Sequence, residues 1–223
     1  MVKKELKILM VDDHPMILEG YKNVLLQIDT GYDLAIDVAG NCDTAYSKIL
    51  QAIPENHYNI IFLDISLPPS ADGEIMSGED LGIRVKELSP KTKIIVLTMF
   101  DDNFRIRNIM ANLEPDSFIL KNEATASILT TAFKTILDDV PYYSPTVTKL
   151  LKAQLSNTFV LDKIDRSIIY HLSKGTKTKQ LPEYINLSLR AIENRKRRLK
   201  DVFGLENGDD RALLDKAREC GYI

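Results

Sequence analysis

The stretch Ile60-Ile61-Phe62-Leu63-Asp64 places four consecutive apolar residues directly before one carboxylate. An unbroken apolar run of this length is typical of a strand that is buried on both faces of a parallel sheet. In open α/β sheets, ligands bind beyond the carboxyl ends of the strands. Asp64 would therefore lie at a binding site, although a single Asp after a strand is more often only the start of a turn.

The same pattern recurs along residues 1–140. Apolar, strand-like stretches alternate with segments whose apolar residues are spaced as on one face of a helix. This alternation predicts an α/β fold with a doubly wound, five-stranded parallel sheet. Because parallel strands end at one edge of the sheet, the residues that follow the strands would lie close together. These residues are Asp12, Asp13, Asp64, Thr98 and Lys121.

This combination of residue types suits the transfer of a phosphoryl group. Clustered carboxylates repel one another, and an oxygen-preferring cation such as Mg²⁺ offsets that repulsion. A hydroxyl from Thr98 and an ammonium from Lys121 would hold the charged phosphoryl oxygens. An Asp carboxylate is a competent phosphoryl acceptor. The alternative, a surface group of caps and turns, is disfavoured because the polar residues recur at successive strand ends.

Four short motifs lie at these predicted strand ends, namely Val11-Asp12-Asp13-His14-Pro15, Leu63-Asp64, Leu97-Thr98-Met99-Phe100-Asp101-Asp102 and Phe118-Ile119-Leu120-Lys121. Together they resemble the receiver domains of two-component response regulators. The resemblance implies a flavodoxin-like fold for residues 1–140 and Mg²⁺ as the cofactor. It also implies that a sensor histidine kinase donates the phosphoryl group, and that the phosphorylated protein forms a homodimer.

The resemblance assigns a role to each carboxylate at the strand ends. Asp64 would be the phosphoacceptor. Asp13 and Asp64 would bind Mg²⁺ directly, together with the backbone carbonyl of Ser66. Asp12 would hold the metal through water.

Three further residues receive roles in the same way. Thr98 and Lys121 would hold the phosphoryl oxygens. Phe118 would be the switch aromatic, which moves inward when Thr98 moves toward the phosphoryl group. The chain would then catalyse only phosphoryl transfer to Asp64 and hydrolysis from it, and we do not expect a metabolic enzyme.

The loop after Asp64 departs from the receiver pattern. The family usually has a Gly about eight residues beyond the phosphoacceptor, whereas Gly73 and Gly78 stand nine and fourteen residues beyond it here. If Gly78 is the matching residue, the loop carries an insertion of about six residues. The acidic residues in or next to this loop are Asp72, Glu74 and Glu79. We expect them to be solvated charges, with metal binding as the alternative.

The second part of the chain differs from the first in charge. Residues 161–223 hold 14 Lys and Arg against 10 Asp and Glu, whereas residues 1–160 hold 15 against 22. Such an asymmetry indicates different partners for the two parts. Between them, residues 141–160 show weak patterns, and we interpret them as an interdomain linker.

Residues 161–223 have the spacing of a small all-α domain. Two short helices joined near Asn186, the second opening after Ser188 and rich in Arg and Lys, predict a helix-turn-helix that binds double-stranded DNA. A solvated charged helix is the alternative. The domain resembles the LuxR-type output domain at Leu161, Gly175, Leu187-Ser188, Ile192, Leu199, Gly204, Arg211-Ala212 and Gly221-Tyr222-Ile223. Two positions depart from that family, which often has Lys at Glu193 and an apolar residue at Lys196.

The basic helix would lie in the major groove with its N-terminal part nearest the base edges. Helical spacing places one set of residues on a single face, opposite Ile192, Leu199 and Phe203. The residues expected at bases or adjacent phosphates are Arg190, Asn194 and Arg197, and Glu193 on the same face would read a cytosine amine. The set expected at phosphates is Arg195, Arg198 and Lys200.

Two cysteines, Cys42 and Cys220, show no disulfide framework, and we expect both to be inert packing residues in a reducing compartment. No apolar run approaches the roughly 18 residues of a membrane helix, so we expect a cytoplasmic protein without membrane contact. The predicted function is a phosphorylation-activated, DNA-binding transcriptional response regulator. The alternatives are a Mg²⁺-dependent aspartyl-phosphate phosphatase and a regulator that binds DNA without phosphorylation.

Overall fold

The computed structural model describes residues 3–53, 57–153, 161–205, 208–220 and 222–223. The chain divides into two compact units, the first comprising Met1–Asp101 and Leu113–Leu155, the second comprising Asp102–Asn112 and Ser156–Ile223. The first unit therefore extends into the predicted linker, and the second includes a short segment from the predicted receiver domain. Each unit has its own hydrophobic core.

The first unit is built on a parallel sheet. In the described part of the chain its strands are β1 (Lys4–Val11), β2 (Tyr32–Ala39), β3 (Ile60–Asp64), β4 (Lys93–Thr98), β5 (Ser117–Leu120) and β6 (Tyr142–Tyr143). Their order is β2-β1-β3-β4-β5-β6, and every neighbouring pair is parallel. The doubly wound parallel sheet is confirmed, with six strands where the sequence predicts five.

In the described part of the chain the first five α-helices alternate with the strands as predicted, and further helices follow. The α-helices are α1 (Pro15–Leu26), α2 (Cys42–Ala52), α3 (Gly78–Leu88), α4 (Asn103–Leu113), α5 (Ala126–Leu137), α6 (Pro145–Ala153), α7 (Lys163–Ser173), α8 (Leu189–Val202) and α9 (Asp210–Glu219). Two 3₁₀ helices, Lys121–Glu123 and Thr178–Glu183, complete the described helical segments. None of the described helices has the length and apolar character that crossing a membrane requires.

The sixth strand lies where the sequence predicts only a turn and a linker. Tyr142 N donates to Asp116 O at 3.2 Å, and Ser144 N donates to Phe118 O at 3.0 Å, so the segment adds to the free edge of β5. Two residues are too few to show an alternating pattern. Helix α6 follows at once, with Pro145 as its first residue.

The core of the first unit explains why the central strands are continuously apolar. All five residues of β3 are buried. On one face of the sheet Ile8, Met10 and Phe62 pack with residues of α1 and α5, and the rings of Phe62 and Phe133 lie 6.2 Å apart. Burial on both faces is the reason that these strands lack the polar alternation of a one-sided sheet.

The second unit is helical, as predicted. Its core includes Ile168 and Ile169 from α7 and Ile192 and Leu199 from α8. Helix α7 begins with a capping box between Asp162 and Asp165. Reciprocal capping of this kind satisfies two backbone N–H groups that a helix end otherwise leaves unpaired.

Helix α4 also packs within the second unit, except for its last residue. Phe104 makes edge-on ring contacts with Phe203 and Tyr222, at centroid distances of 5.3 and 6.4 Å. Asn108 accepts a hydrogen bond from the amide of Leu161, and Asn112 donates one to the Leu161 carbonyl oxygen at 2.8 Å. Polar and aromatic side chains of α4 therefore complete the core that the sequence assigns to residues 161–223 alone.

Candidate functional site

The carboxyl ends of β1 and β3 bring the predicted acidic residues together. Val11 and Leu63 are partners in the parallel register, so Asp12 and Asp64 follow at the same level of the sheet. Both are almost fully buried, with exposures of 3% and 1%. Possible ligand atoms of Asp12, Asp13, His14 and Asp64 all lie within 4.8 Å of one another. An all-oxygen set with one nearby imidazole fits a small divalent cation such as Mg²⁺.

Lys121 completes this group from the end of β5. Its Nζ lies 2.6 Å from Asp12 Oδ2 and 2.7 Å from Asp64 Oδ2, and its side chain is only 5% exposed. Burial acts to lower the pKa of Lys121, but the hydrogen bonds to the two carboxylates outweigh it and raise the pKa above the ordinary value. The site therefore holds a charged ammonium between two buried carboxylates, which is a good setting for phosphoryl oxygens.

Gly78 lies directly against the backbone of the predicted acceptor, Asp64. A Cβ at this position would lie 1.8 Å from the backbone oxygen of Asp64, so only glycine fits. Its amide donates to the carbonyl of Ile65 at 3.2 Å. On the other side of the acceptor, the amide of Ser66 donates to Asp64 Oδ1 at 2.9 Å. Gly78, rather than Gly73, therefore makes the close approach to Asp64, and the insertion before it stays a prediction.

The loop between Asp64 and Gly78 has its own internal hydrogen bonds. Ser70 is buried, its amide donates to Ile75 O at 2.8 Å, and its Oγ accepts from the amide of Ile75 at 3.0 Å. Gly73 adopts a φ of +74°, which glycine tolerates best. The amide of Ala71 donates to the carboxylate of Asp43 at the start of α2. These contacts give the loop a defined conformation beside the site.

The acidic residues of this region divide into two groups. Asp72 and Glu74 are exposed, as expected, and Glu74 pairs with Arg84 at 3.6 Å. Glu79, however, is fully buried, so the expectation of a solvated charge is wrong for this residue. It is the second residue of α3, and the close approach of Gly78 to Asp64 draws this first turn against the sheet. A helix N-terminus is also a favourable place for a carboxylate.

The two predicted switch residues lie in neighbouring strands. Thr98 follows Leu97, the register partner of Asp64, and both Thr98 and Phe118 are fully buried. The amide of Phe100 donates to Thr98 Oγ1 at 3.2 Å. The hydroxyl therefore stands at the same sheet edge as the acceptor, one residue beyond it in the register.

Two residues near the site, His14 and Tyr21, were not predicted from the sequence to belong to it. His14 Nδ1 lies 2.7 Å from Asp13 Oδ1 and 3.1 Å from Asp12 Oδ1. The pKa of Tyr21 is raised by burial, and the charges of Lys121, Asp12 and Asp64 also act on it. Adjacency to Asp12 and Asp13 was a signal for His14, whereas Tyr21 has only the apolar spacing of α1, which carries no functional information.

Helix α8 carries the predicted DNA-facing residues of the second unit. Ser188 caps it by accepting a hydrogen bond from the amide of Ala191 at 3.3 Å. Ile192 and Leu199 are buried on the side that faces the core. The residues exposed on this helix include Arg190, Glu193, Asn194, Arg197 and Arg198. The predicted division of the helix into a packed side and a solvent side agrees with this burial.

Two of the predicted phosphate-contacting residues are instead held by carboxylates. Arg195 NH1 lies 2.7 Å from Asp162 Oδ2 and 2.7 Å from Asp165 Oδ1, with a side chain 27% exposed. Lys200 Nζ lies 3.1 Å from Asp210 Oδ1. Both side chains are therefore partly buried in ion pairs within the unit, and their contact with phosphates stays a prediction. The sequence shows only that they are basic and cannot show their partners across the fold.

Comparison with known proteins identifies the family of the first unit. The family described as response regulator receiver domain matches residues 8–133, which is more than half of the chain. The oxygen regulatory protein NreC of Staphylococcus carnosus is 26% identical over 214 residues, covering 91% of this chain and 93% of NreC. NreC of Staphylococcus aureus is 25% identical over the same length and the same shares of both chains.

Solved structures show a similar fold over nearly the whole chain. RcsB from Salmonella enterica serovar Typhimurium, bound to promoter rprA in the presence of the phosphomimetic BeF₃⁻, superposes with a TM-score of 0.67 at 21% identity. The alignment covers 96% of this chain and 98% of RcsB. An RcsB–DNA complex gives a TM-score of 0.59 at 20% identity, covering 97% and 99%. With the receiver family matched over the sheet and its acidic edge, this chain belongs to the response regulators.

Proposed function

We propose that the protein is a DNA-binding transcriptional response regulator that is activated by phosphorylation of Asp64. The observation that carries the proposal is the buried contact of Lys121 with Asp12 and Asp64 at the edge of the sheet. A carboxylate held beside an ammonium and a buried hydroxyl, that of Thr98, has the partners that an incoming phosphoryl group needs.

Each residue of the site has a distinct part in the proposed reaction. Asp64 attacks the phosphorus of the donor through a carboxylate oxygen, and the donor's leaving group departs with the electrons of its bond to phosphorus. Lys121 and Thr98 then hold the oxygens of the transferred group. Both residues lie at the ends of neighbouring strands. The strand ends therefore supply the groups that hold the phosphoryl oxygens, and no separate loop is required.

Mg²⁺ is the cation proposed for the acidic group. Asp13, Asp64 and the backbone carbonyl of Ser66 would hold it, with Asp12 acting through water. When bound, the cation would neutralise the charge that develops on the phosphoryl oxygens. Carboxylate and carbonyl oxygens are the ligands that Mg²⁺ prefers.

The proposed output is DNA binding by helix α8. Arg190, Glu193, Asn194 and Arg197 are exposed together on its solvent side. Arg190, Asn194 and Arg197 would contact bases or adjacent phosphates, and Glu193 would accept a hydrogen bond from a cytosine amine. Arg198 would contact a phosphate. Solved structures of RcsB include two RcsB dimers bound to two parallel DNAs, at 21% identity and a TM-score of 0.57. This supports the proposal that phosphorylated homodimers of the present chain bind double-stranded DNA.

The phosphoryl donor and the compartment follow from the same proposal. A sensor histidine kinase would supply the phosphoryl group, and the regulator would act in the cytoplasm, where DNA and the kinase's catalytic part are accessible. Both cysteines are free and buried, which suits a reducing compartment. The chain would have no catalytic activity other than phosphoryl transfer to Asp64 and hydrolysis from it.

The test is phosphorylation by acetyl phosphate, measured by intact-protein mass spectrometry in the presence of Mg²⁺. We expect the wild-type chain to gain one phosphoryl group and Asp64→Asn to gain none, because an amide cannot act as the acceptor. Asp13→Ala should be labelled more slowly through weaker metal binding. Equal labelling of Asp64→Asn would remove Asp64 from the role.

The same samples distinguish a regulator from a phosphatase of small metabolites. A regulator should hydrolyse a generic ester such as p-nitrophenyl phosphate no faster than its Asp64→Asn variant. Multiple turnovers by the wild type alone would favour the phosphatase. Helix α8 argues for the regulator, because an exposed basic helix has no use in ester hydrolysis.

A further inference from the structure

Lys196 lies in the middle of helix α8 and is nevertheless almost buried. Its residue exposure is 8%, in contrast to Arg197 and Arg198 beside it, which are exposed. A lysine whose side chain is only 10% exposed would have to leave its place to contact a DNA phosphate. The position therefore calls for an explanation other than charge attraction to DNA.

The ammonium of Lys196 is held by partners from two other elements. Its Nζ lies 2.6 Å from Thr178 Oγ1, on the 3₁₀ helix that precedes α8 in the fold, and 2.6 Å from Asp210 Oδ2, in the first turn of α9. A buried ammonium is costly unless it is paired and hydrogen-bonded. Both conditions are met here.

Asp210 is shared between two lysines of the same helix. Its Oδ2 meets Lys196, and its Oδ1 meets Lys200 at 3.1 Å, one turn further along α8. Burial acts to raise the pKa of Asp210, but the hydrogen bonds from both lysines outweigh it and lower the pKa below the ordinary value. The carboxylate is therefore ionised at neutral pH and fastens two successive turns of α8 to α9.

Arg195 fastens the helix on another side. It binds Asp162 and Asp165, the two residues of the capping box at the start of α7. Helix α8 is thus joined by directional polar contacts to α7, to α9 and to the 3₁₀ helix. Fully satisfied buried polar networks make a core rigid and specify one arrangement, so these contacts help to define the orientation of α8 about its axis.

We propose that Lys196 is a positioning residue for DNA recognition, which holds α8 in the rotation that presents Arg190, Asn194 and Arg197 to the base edges without itself contacting DNA. The inference rests on the proposed DNA-binding function and deepens it. On this proposal, the buried contact among Lys196, Thr178 and Asp210 contributes to sequence selectivity. The exposed basic residues beside Lys196 contribute the charge attraction to DNA.

The matched comparison is Lys196→Met against Arg197→Met in the full-length chain. Each variant loses one positive charge, from adjacent residues of one helix, and gains the same apolar side chain. Affinities are measured by fluorescence anisotropy, with BeF₃⁻ and Mg²⁺ present, at several salt concentrations. One duplex is selected from a random library by the wild-type chain, and the other is an unselected duplex of equal length.

The two variants should change different quantities, one the salt dependence of binding and the other the selectivity between the duplexes. Arg197→Met should flatten the dependence of log affinity on log salt by about one unit, because an exposed cation releases a counterion on binding. Lys196→Met should leave that slope unchanged on both duplexes. It should lower affinity for the selected duplex roughly two- to tenfold, and leave the unselected duplex unaffected, because coupled polar networks contribute on this scale.

A double-mutant cycle with Asp210→Asn tests whether Lys196 acts through its partner. The loss of selectivity caused by Lys196→Met should shrink when Asp210 is already changed. Thr178→Val removes one acceptor without changing charge, and it should also lower selectivity without changing the slope. This variant keeps the test available if Lys196→Met does not fold, as judged by thermal unfolding followed by circular dichroism.

Several outcomes would overturn the inference. A slope flattened by Lys196→Met as much as by Arg197→Met would show that Lys196 contacts phosphate. An equal loss on both duplexes would show a general structural role without effect on recognition. Selectivity unchanged in Lys196→Met and in Thr178→Val would show that the contact is not needed. Absence of salt-dependent DNA binding by the wild-type chain would instead overturn the proposed function, and the two failures are therefore distinct.

Discussion

Gly78 shows how one residue without a side chain shapes the proposed phosphorylation site. The backbone oxygen of Asp64 occupies the space that a Cβ at position 78 would fill, at a separation of 1.8 Å. Backbone atoms cannot move aside as the end of a flexible side chain can. Any larger residue would push α3 and its buried Glu79 away from the acceptor strand.

We therefore expect Gly78→Ala to lower the free energy of unfolding by about 2–3 kcal/mol, the usual cost of overpacking. It should also slow labelling by acetyl phosphate. Gly20→Ala is the matched control, because Gly20 lies in α1 with nothing within 4 Å of its added Cβ. That change should raise stability by about 0.5–1 kcal/mol. Urea unfolding measures both, and equal effects of the two substitutions would contradict the explanation.

Lys121 is the residue that balances the charge of the site. It is the buried partner of both Asp12 and Asp64. Lys121→Met leaves two buried carboxylates without their cation, so we expect a loss of about 3 kcal/mol of unfolding free energy in buffer with EDTA. Mg²⁺ should restore part of the loss, because a cation that binds only the folded state stabilises it. A variant as stable as the wild type in EDTA would show that the ion pair contributes little.

At the scale of elements, β6 and α6 extend the first unit beyond the predicted boundary at residue 140. The extension is attached to the segment that carries Lys121. Glu123 Oε1 accepts hydrogen bonds from Thr146 N at 3.2 Å and from Thr146 Oγ1 at 2.6 Å. Burial acts to raise the pKa of Glu123, but hydrogen bonds from Ser144 and Thr146 outweigh it and lower the pKa.

Glu123→Ala should free this extension from the sheet edge. We expect faster hydrogen exchange in the amides of residues 146–152, with little change in β1 and β3, because only the local anchor is lost. Glu87→Ala is a suitable control, since Glu87 is exposed on α3. Exchange rates in α6 that match those of the control would show that Glu123 does not hold the segment.

The elements that the sequence predicts well are those with a clear period. Central strands such as β3 are continuously apolar because both faces are buried, and this signal alone indicates a parallel sheet. The strand ends then bring Asp12, Asp64 and Lys121 together, as predicted. Strand β6 is not predicted because two tyrosines are too short a stretch to show an alternating pattern. They form a strand only through their pairing with β5.

Charged residues are where sequence reasoning is weakest. Glu79, Arg195 and Lys196 all have the composition of solvent-exposed positions, yet Glu79 and Lys196 are buried and Arg195 is half-buried between two carboxylates. The partners of Arg195 and Lys196 lie 14 to 33 residues away in sequence, so no local pattern reveals them. For Lys196 the only signal was the departure from an apolar residue in the LuxR-type pattern.

At the scale of the whole molecule, the two parts of the chain have charges suited to different tasks. Residues 1–160 hold an excess of acidic residues and include the proposed phosphoacceptor, whereas residues 161–223 hold an excess of basic residues, which suits the proposed binding of DNA. The proposed function requires that the state of Asp64 in one unit changes the affinity of α8 in the other for DNA. Such a coupling is a difference in binding free energy between two states of the protein.

The most direct measurement of this coupling is the affinity of the full-length chain for its selected duplex, with Mg²⁺ and with or without acetyl phosphate, at one salt concentration. We predict that acetyl phosphate raises the affinity of the wild type roughly 5- to 150-fold, the range of typical coupling energies, and leaves Asp64→Asn unchanged. Asn has nearly the shape of Asp and leaves α8 unchanged in sequence, so Asp64→Asn removes the acceptor carboxylate while it keeps the basic residues. Equal affinity of the wild type with and without acetyl phosphate, while mass spectrometry shows Asp64 fully labelled, would contradict phosphorylation-activated DNA binding.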